Sequence, residues 1–231
     1  MTTGLIFSAG KETRFDDERP KALSMIGDVC LLDYNIACLS KCCDEVYVVC
    51  SQQNKDWFEQ YDTIVIKSGY GCGNAVMQAL SQIPANYSDH VFIAWGDCVL
   101  CDEVLKETKS KFEHCRYLVI PCAFEHDPYV RLVKNDNSVK VEFKKYGEVK
   151  GDGFHDFGVF FGHLRYIRYY LNEFHKKIFD TNTYGYSHKH NNEMQFLDVV
   201  NETNIEVALL SFEDIAIKSF NTKEELKRIE L

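Results

Sequence analysis

The residues best suited to gripping a charged phosphate lie near the start of the chain. Ser8-Ala9-Gly10-Lys11-Glu12-Thr13-Arg14-Phe15 follows the apolar run Gly4 to Ser8, and Pro20-Lys21-Ala22-Leu23 comes soon after. Small residues at the C-terminal end of a strand let the backbone come close to a ligand, at the edge where open α/β sheets bind. Backbone N–H groups there can cradle phosphate oxygens, while Arg14 and Lys21 add two cations. Pro20 fixes the backbone just ahead of Lys21 and limits how far that lysine wanders. Two better-known phosphate loops are excluded. A P-loop needs a Ser or Thr after its lysine and four residues between its glycines. Here Glu12 follows Lys11 and five residues separate Gly4 from Gly10. The dinucleotide pattern GxGxxG is absent. Standing alone, the loop reads equally well as an ordinary solvated one.

Three further groups could complete such a site. Gly69-Tyr70-Gly71-Cys72-Gly73-Asn74-Ala75 precedes a helical pattern containing Gln78. Residues without bulk can lie against a base, although the same cluster also reads as a turn that caps a helix. Trp95-Gly96-Asp97 ends an apolar strand. A carboxylate there suits Mg²⁺, a hard cation that takes one or two carboxylates plus phosphate oxygens. The alternative is a turn or N-cap residue. Farther on, Lys144 could meet an anion, and Glu142 and Asp156 a cation. The same carboxylates could instead form a charge pair on a sheet surface.

Short apolar runs alternating with helical patterns must position these groups. Strands are expected at Gly4–Ser8, Glu45–Cys50, Thr63–Ile66 and His90–Trp95, with helical patterns around Tyr34–Ser40 and Asn74–Leu80. That alternation predicts a mostly parallel, doubly wound sheet. From Arg116 the runs Arg116–Cys122, Tyr129–Val133, Val139–Phe143 and Asp156–Phe161 follow with short turns, which predicts an antiparallel or mixed extension. Helices are expected at Gly162–Phe179, Glu193–Asn201 and from Thr222, with strands at Ile205–Leu210 and reaching Phe220. No repeat or linker interrupts the chain. We therefore expect one domain over residues 1–231, with 1–115 mainly binding nucleotide and 116–231 mainly binding acceptor.

The chain has 231 residues, a net charge of −9 and 26 basic against 35 acidic side chains. That balance argues against a nucleic-acid partner, which usually meets a basic face. No run approaches the length a membrane span needs, and the N-terminus lacks an export signal. A cytoplasmic protein with ten reduced cysteines is expected. Cys98 and Cys101 have redox or zinc spacing, but no second pair accompanies them, so core packing is expected. His188 and His190 sit in a polar loop, where histidines are rarely ligands.

The order of strand, SAGKETRF, PKAL and helix resembles the N-terminal signature of the nucleoside-triphosphate transferases that activate sugar 1-phosphates and phosphocholine. That signature is small-Ala-Gly-x-Gly-[ST]-Arg-[FM] followed by Pro-Lys; Glu12 stands where it has glycine. Gly71-Cys72-Gly73 resembles the family's Gly-Thr-Gly segment beside the base, with Cys72 in the threonine's place. Trp95-Gly96-Asp97 matches its Gly-Asp metal motif, and Phe220-Asn221-Thr222 its Val-Asn-[NT] ending. Tyr129-Val130-Arg131, Val141-Glu142-Phe143-Lys144 and Asp156-Phe157-Gly158 match, in order, its acceptor segments Tyr-Gly-Arg, Val-Glu-x-Lys and Asn-x-Gly. Asn192 to Asp198 resembles the helix that packs beside the acceptor.

The resemblance implies a Rossmann-like, GT-A-like α/β fold and a Mg²⁺-dependent nucleotidyl transfer. It makes Arg14 and Lys21 catalytic, and Asp97 and Asn221 metal ligands. Ser8, Ala9, Gly10, Lys11, Gly71, Cys72, Gly73, Gln78 and Trp95 are expected at the nucleotide, and Tyr129, Arg131, Glu142, Lys144 and Asp156 at the acceptor. The small single-domain chain looks closest to the cytidylyltransferases, which favours CTP and a small phosphorylated acceptor, L-glutamine phosphate first. Phosphocholine or a sugar 1-phosphate are the alternatives, and a homodimer is compatible with the family. Outside it, a nucleotide-sugar glycosyltransferase would carry Asp-x-Asp where this chain has Asp97-Cys98-Val99, and a non-catalytic nucleotide-binding protein would have lost some of these residues.

Overall fold

The first apolar run forms β1 (Thr2–Phe7), buried along its whole length. A parallel strand flanks it on each side, β2 (Glu45–Ser51) and β4 (His90–Trp95), β3 (Thr63–Ile66) runs parallel to β2, and helices cover both faces of this part of the sheet. The computed structural model describes residues 1–10, 15, 19–67, 70–84, 89–112, 117–135, 138–181, 185–187 and 192–230. Lys11, Glu12, Arg14, Gly69, His188 and His190 therefore lie outside the described residues.

Alternation along β1 divides the core between the two faces of the sheet. Leu5 and Phe7 pack with α2 (Cys72–Gln82) and α4 (Leu164–Ile178), and Ile6 packs with α1 (Leu31–Ser40) and α3 (Asp102–Phe112). The expected antiparallel section consists of β5 (Leu118–Glu125), β6 (Val130–Asn135), β7 (Ser138–Phe143), β8 (Gly153–Asp156) and β9 (Val159–His163). With β10 (Val207–Phe212), which runs parallel to β5, these complete a ten-stranded mixed sheet. Its order is β3-β2-β1-β4-β9-β5-β8-β6-β7. The sheet thus passes without a break from the parallel half into the antiparallel half.

Three expected elements differ. The run Asp156–Phe161 is two strands, because Gly158 takes φ +69° and donates its N–H to Asp156 Oδ1 at 2.8 Å. The helix expected from Glu193 begins only at α5 (Asp198–Glu202). Met194 is committed elsewhere: its N–H donates to the Tyr70 carbonyl and its own carbonyl accepts from Gly73, both at 2.8 Å. The last strand is a single bridge, Cys98 to Ser219.

Candidate active site

The parallel strands end together, and a cleft of about 610 Å³ opens at that edge. This volume suits a small-molecule ligand. Ser8, Ala9 and Gly10 continue from β1 into its wall. Asn54 holds this corner. Its side-chain N–H₂ donates to the Ser8 carbonyl at 2.7 Å, and its oxygen accepts from the Ser51 N–H at 2.7 Å and hydroxyl at 2.8 Å.

Lys21 enters the cleft from the short 3₁₀ turn Lys21–Leu23 that follows Pro20. Its side chain is 9% exposed, and its Nζ stands 3.4 Å from Asp97 Oδ2. The backbone after β4 fixes Asp97. Gly96 N–H donates to the Phe7 carbonyl at 2.9 Å, and Phe220 N–H to the Asp97 carbonyl at 3.1 Å. The Cys98–Ser219 bridge lays the C-terminal segment beside Asp97 and brings Asn221 to the same cleft. Thr222 caps α6 (Lys223–Leu226) in a full capping box with Glu225, which leaves Asn221 at the cleft wall. Capping and cleft placement thus fall to adjacent residues. Asp97 and Asn221 together offer a carboxylate and an amide oxygen, an all-oxygen pair that fits a hard divalent cation. Among the described residues no group of three or more His, Cys, Asp or Glu side chains lies together so as to hold a metal. Burial pushes the Cys98 thiol well up, as befits a packing residue.

The remaining expectations divide. Gly71, Cys72, Trp95, Tyr129 and Asp156 line the cleft. Asp156 is 5% exposed, and burial raises its carboxyl above the ordinary range. Gly73 is off the wall, and its lack of bulk serves a different contact: a Cβ there would lie 2.9 Å from the carbonyls of Met194 and Gln195. Gln78 is also turned away, accepting from Lys67 N–H at 3.0 Å and donating to Asn74 at 2.6 Å. Arg131 and Glu142 face each other across β6 and β7 and pair at 2.8 Å, with Lys140 also on Glu142 at 2.9 Å. Neither lines the cleft. Lys144 pairs with Asp127 and is likewise outside it.

Other side chains take those places. Lys145, Tyr146, His155, Glu193 and Gln195 line the cleft, as does Gln53 beside the Ser8 corner. His155 Nδ1 lies 2.7 Å from Glu125 Oε2. Burial opposes charging of this imidazole, but the hydrogen bond with Glu125 and the charges of Asp156 and Glu125 outweigh it, and its pKa is raised. Cys72, in the position of the family's threonine, bridges two walls. Its thiol donates to Gln195 Oε1 and its sulfur accepts from the Phe196 N–H, both at 3.2 Å. Burial pushes this thiol up to about 11. The short turn Lys144–Tyr146 carries Lys145 and Tyr146, and the Asn192–Asp198 segment carries Glu193 and Gln195, but nothing in the sequence alone shows which lysine or carboxylate points inward.

A mixed α/β sheet with cations and carboxylates facing each other at its strand ends is the arrangement of a nucleotidyltransferase. Residues 4–140, more than half of the chain, match the MobA-like NTP transferase domain, and the chain belongs to that family. Its fold is similar to that of the inositol-1-phosphate CTP transferase of T. maritima, with a TM-score of 0.73, 16% identity, and coverage of 96% of this chain and 90% of that one. A Bacillus anthracis protein assigned as a glucose-1-phosphate thymidylyltransferase, solved with a sucrose, gives a TM-score of 0.76 at 12% identity, covering 100% and 97%. The 4-diphosphocytidyl-2C-methyl-D-erythritol synthase of Anaerococcus prevotii gives 0.61 at 14% identity, covering 97% and 94%. No curated protein matches this chain by sequence. No described helix is long and apolar enough to cross a membrane.

Proposed function

We propose that the chain is a Mg²⁺-dependent CTP:phosphoglutamine cytidylyltransferase of capsular polysaccharide modification. It would transfer CMP from CTP to L-glutamine phosphate, giving CDP-L-glutamine and pyrophosphate. The observation that carries the transfer reading is the meeting of Lys21, Asp97 and Asn221 in one cleft beside the Ser8–Gly10 corner. The acceptor phosphate is ionised at neutral pH and needs no general base, so catalysis reduces to positioning and electrostatics. Lys21 would sit between the α-phosphate and the incoming phosphate, and Arg14 would fork onto the leaving pyrophosphate. Asp97 and Asn221 would hold Mg²⁺, which when bound neutralises charge on the nucleotide oxygens. Ser8 to Lys11, Gly71, Cys72 and Trp95 would border the nucleotide, with Gly73 and Gln78 supporting that wall from behind.

Pyrophosphate release tests this reading, measured with CTP or UTP, with and without Mg²⁺, against L-glutamine phosphate, phosphocholine and glucose 1-phosphate. Release with CTP, Mg²⁺ and L-glutamine phosphate is expected. Faster release with phosphocholine or the sugar phosphate would reassign the acceptor. Tight nucleotide binding without release from any acceptor would replace the reading with a non-catalytic one.

A further inference from the structure

Lys145 and Glu193 come from segments 48 residues apart and meet at the cleft wall, Nζ to Oε2 at 3.3 Å. Their side chains are 44% and 40% exposed, so the pair is still open to a ligand. Each charge is steadied from behind. The Lys145 ammonium lies 5.3 Å from the centre of the Tyr146 ring, and Gln195 Nε2 donates to Glu193 Oε2 at 2.8 Å and to the Tyr146 hydroxyl at 3.3 Å. Gln195 is in turn anchored on Cys72, beside the nucleotide wall. An ordinary surface ion pair has no such backing.

We propose that Lys145 and Glu193 form a subsite for a zwitterion, an acceptor tail carrying an ammonium and a carboxylate on one carbon. Laid against the pair, such a tail completes an alternating square of four charges, its ammonium on Glu193 and its carboxylate on Lys145. Covering the pair removes water and strengthens all four interactions. A tail with one charge is attracted by one partner and repelled by the other, and a neutral sugar gains neither. Tyr146 supplies the flat wall and Gln195 fixes the spacing. This inference rests on the reading of the cleft as a site that couples a nucleotide to a phosphorylated acceptor, and it assigns the end of the acceptor remote from its phosphate.

The test separates the subsite from the transfer chemistry. Binding of free L-glutamine to the CTP-loaded protein is measured by ligand-observed NMR, beside its deaminated and decarboxylated analogues. L-Glutamine is expected to bind, and each analogue and each of Glu193→Gln and Lys145→Gln to weaken binding by roughly tenfold or more. Lys176→Gln, which alters an exposed pair on α4, should change nothing. No binding of L-glutamine, equal binding of the deaminated analogue, or unchanged affinity in both charge variants overturns the inference. Binding that depends on both residues without pyrophosphate release from any acceptor keeps the subsite and sinks the transfer reading.

Discussion

Lys21 and Asp97, 76 residues apart in the chain, stand 3.4 Å from each other inside the cleft. The contact exists because the Pro20 turn and the end of β4 both fold over the end of β1, with Gly96 hydrogen-bonded to Phe7. A cation and a carboxylate held this way are arranged before any ligand arrives, which is the condition for electrostatic catalysis.

Lys21→Ala and Asp97→Ala should each lower kcat/KM by about 10²–10³-fold, the effect of removing one preorganised charge stabiliser. Pyrophosphate release at several CTP concentrations measures this. Near-wild-type turnover in either variant would remove the pair from the mechanism.

Asn54→Ala should raise the KM for nucleotide more than it lowers kcat. It frees the Ser8 carbonyl and leaves the Ser51 N–H and hydroxyl without their acceptor, at a stability cost of about 1–3 kcal/mol. Steady-state kinetics and thermal melts read the two effects separately; an unchanged KM would show that this corner does not touch the nucleotide.

Asp156 is a buried acid whose folded pKa lies above its ordinary value of 3.8, because burial disfavours its charge. The sign follows from linkage: its contribution to stability is full below the unfolded pKa and is lost as pH rises through the folded one. Asp156→Asn keeps an oxygen for Gly158 N–H and removes that loss. The variant's Tm advantage should therefore grow as pH rises above 3.8, while acceptor binding weakens. A pH-independent difference would refute the assignment.

The His155–Glu125 contact makes the opposite partner testable. A histidine whose folded pKa is raised above 6.5 contributes stability that is complete below that value and disappears as pH climbs through the folded pKa. Glu125→Gln leaves burial less opposed, so the NMR titration midpoint of His155 should fall. A midpoint that stays in place would mean that Asp156 alone sustains the shift.

Gly158→Ala combines two penalties, φ +69° and a Cβ 2.2 Å from Cys98 Sγ, beside Asp97. Gly147→Ala carries only the backbone strain, at φ +73° with nothing within 4 Å. We expect a loss of about 1 kcal/mol for Gly147→Ala and a clearly larger one, of roughly 2–4 kcal/mol, for Gly158→Ala. Equal Tm values for the two variants would show that Cys98 moves aside freely.

Much of this architecture was legible in the residues. Short apolar runs placed β1, β2, β3 and β4, and the Gly96-Asp97 pair and Asn221 marked two segment ends that do reach the cleft. The element boundaries that slipped, at Gly158 and Met194, are places where one backbone bond to a distant segment or to a side chain overrode the local pattern.

By itself, then, the sequence determined the run of parallel strands and the small residues and lysine, Ser8 to Gly10 and Lys21, that reach the cleft at their ends, because apolar runs and strand-end chemistry are local properties. Only the tertiary structure decided which charges serve the cleft. Cross-strand register sets Arg131 opposite Glu142, where they neutralise each other, and the turn after β7 carries Lys144 to Asp127 but Lys145 to Glu193. A shift of one residue changes the side from which a lysine emerges, and no composition or spacing records which side the fold will close upon.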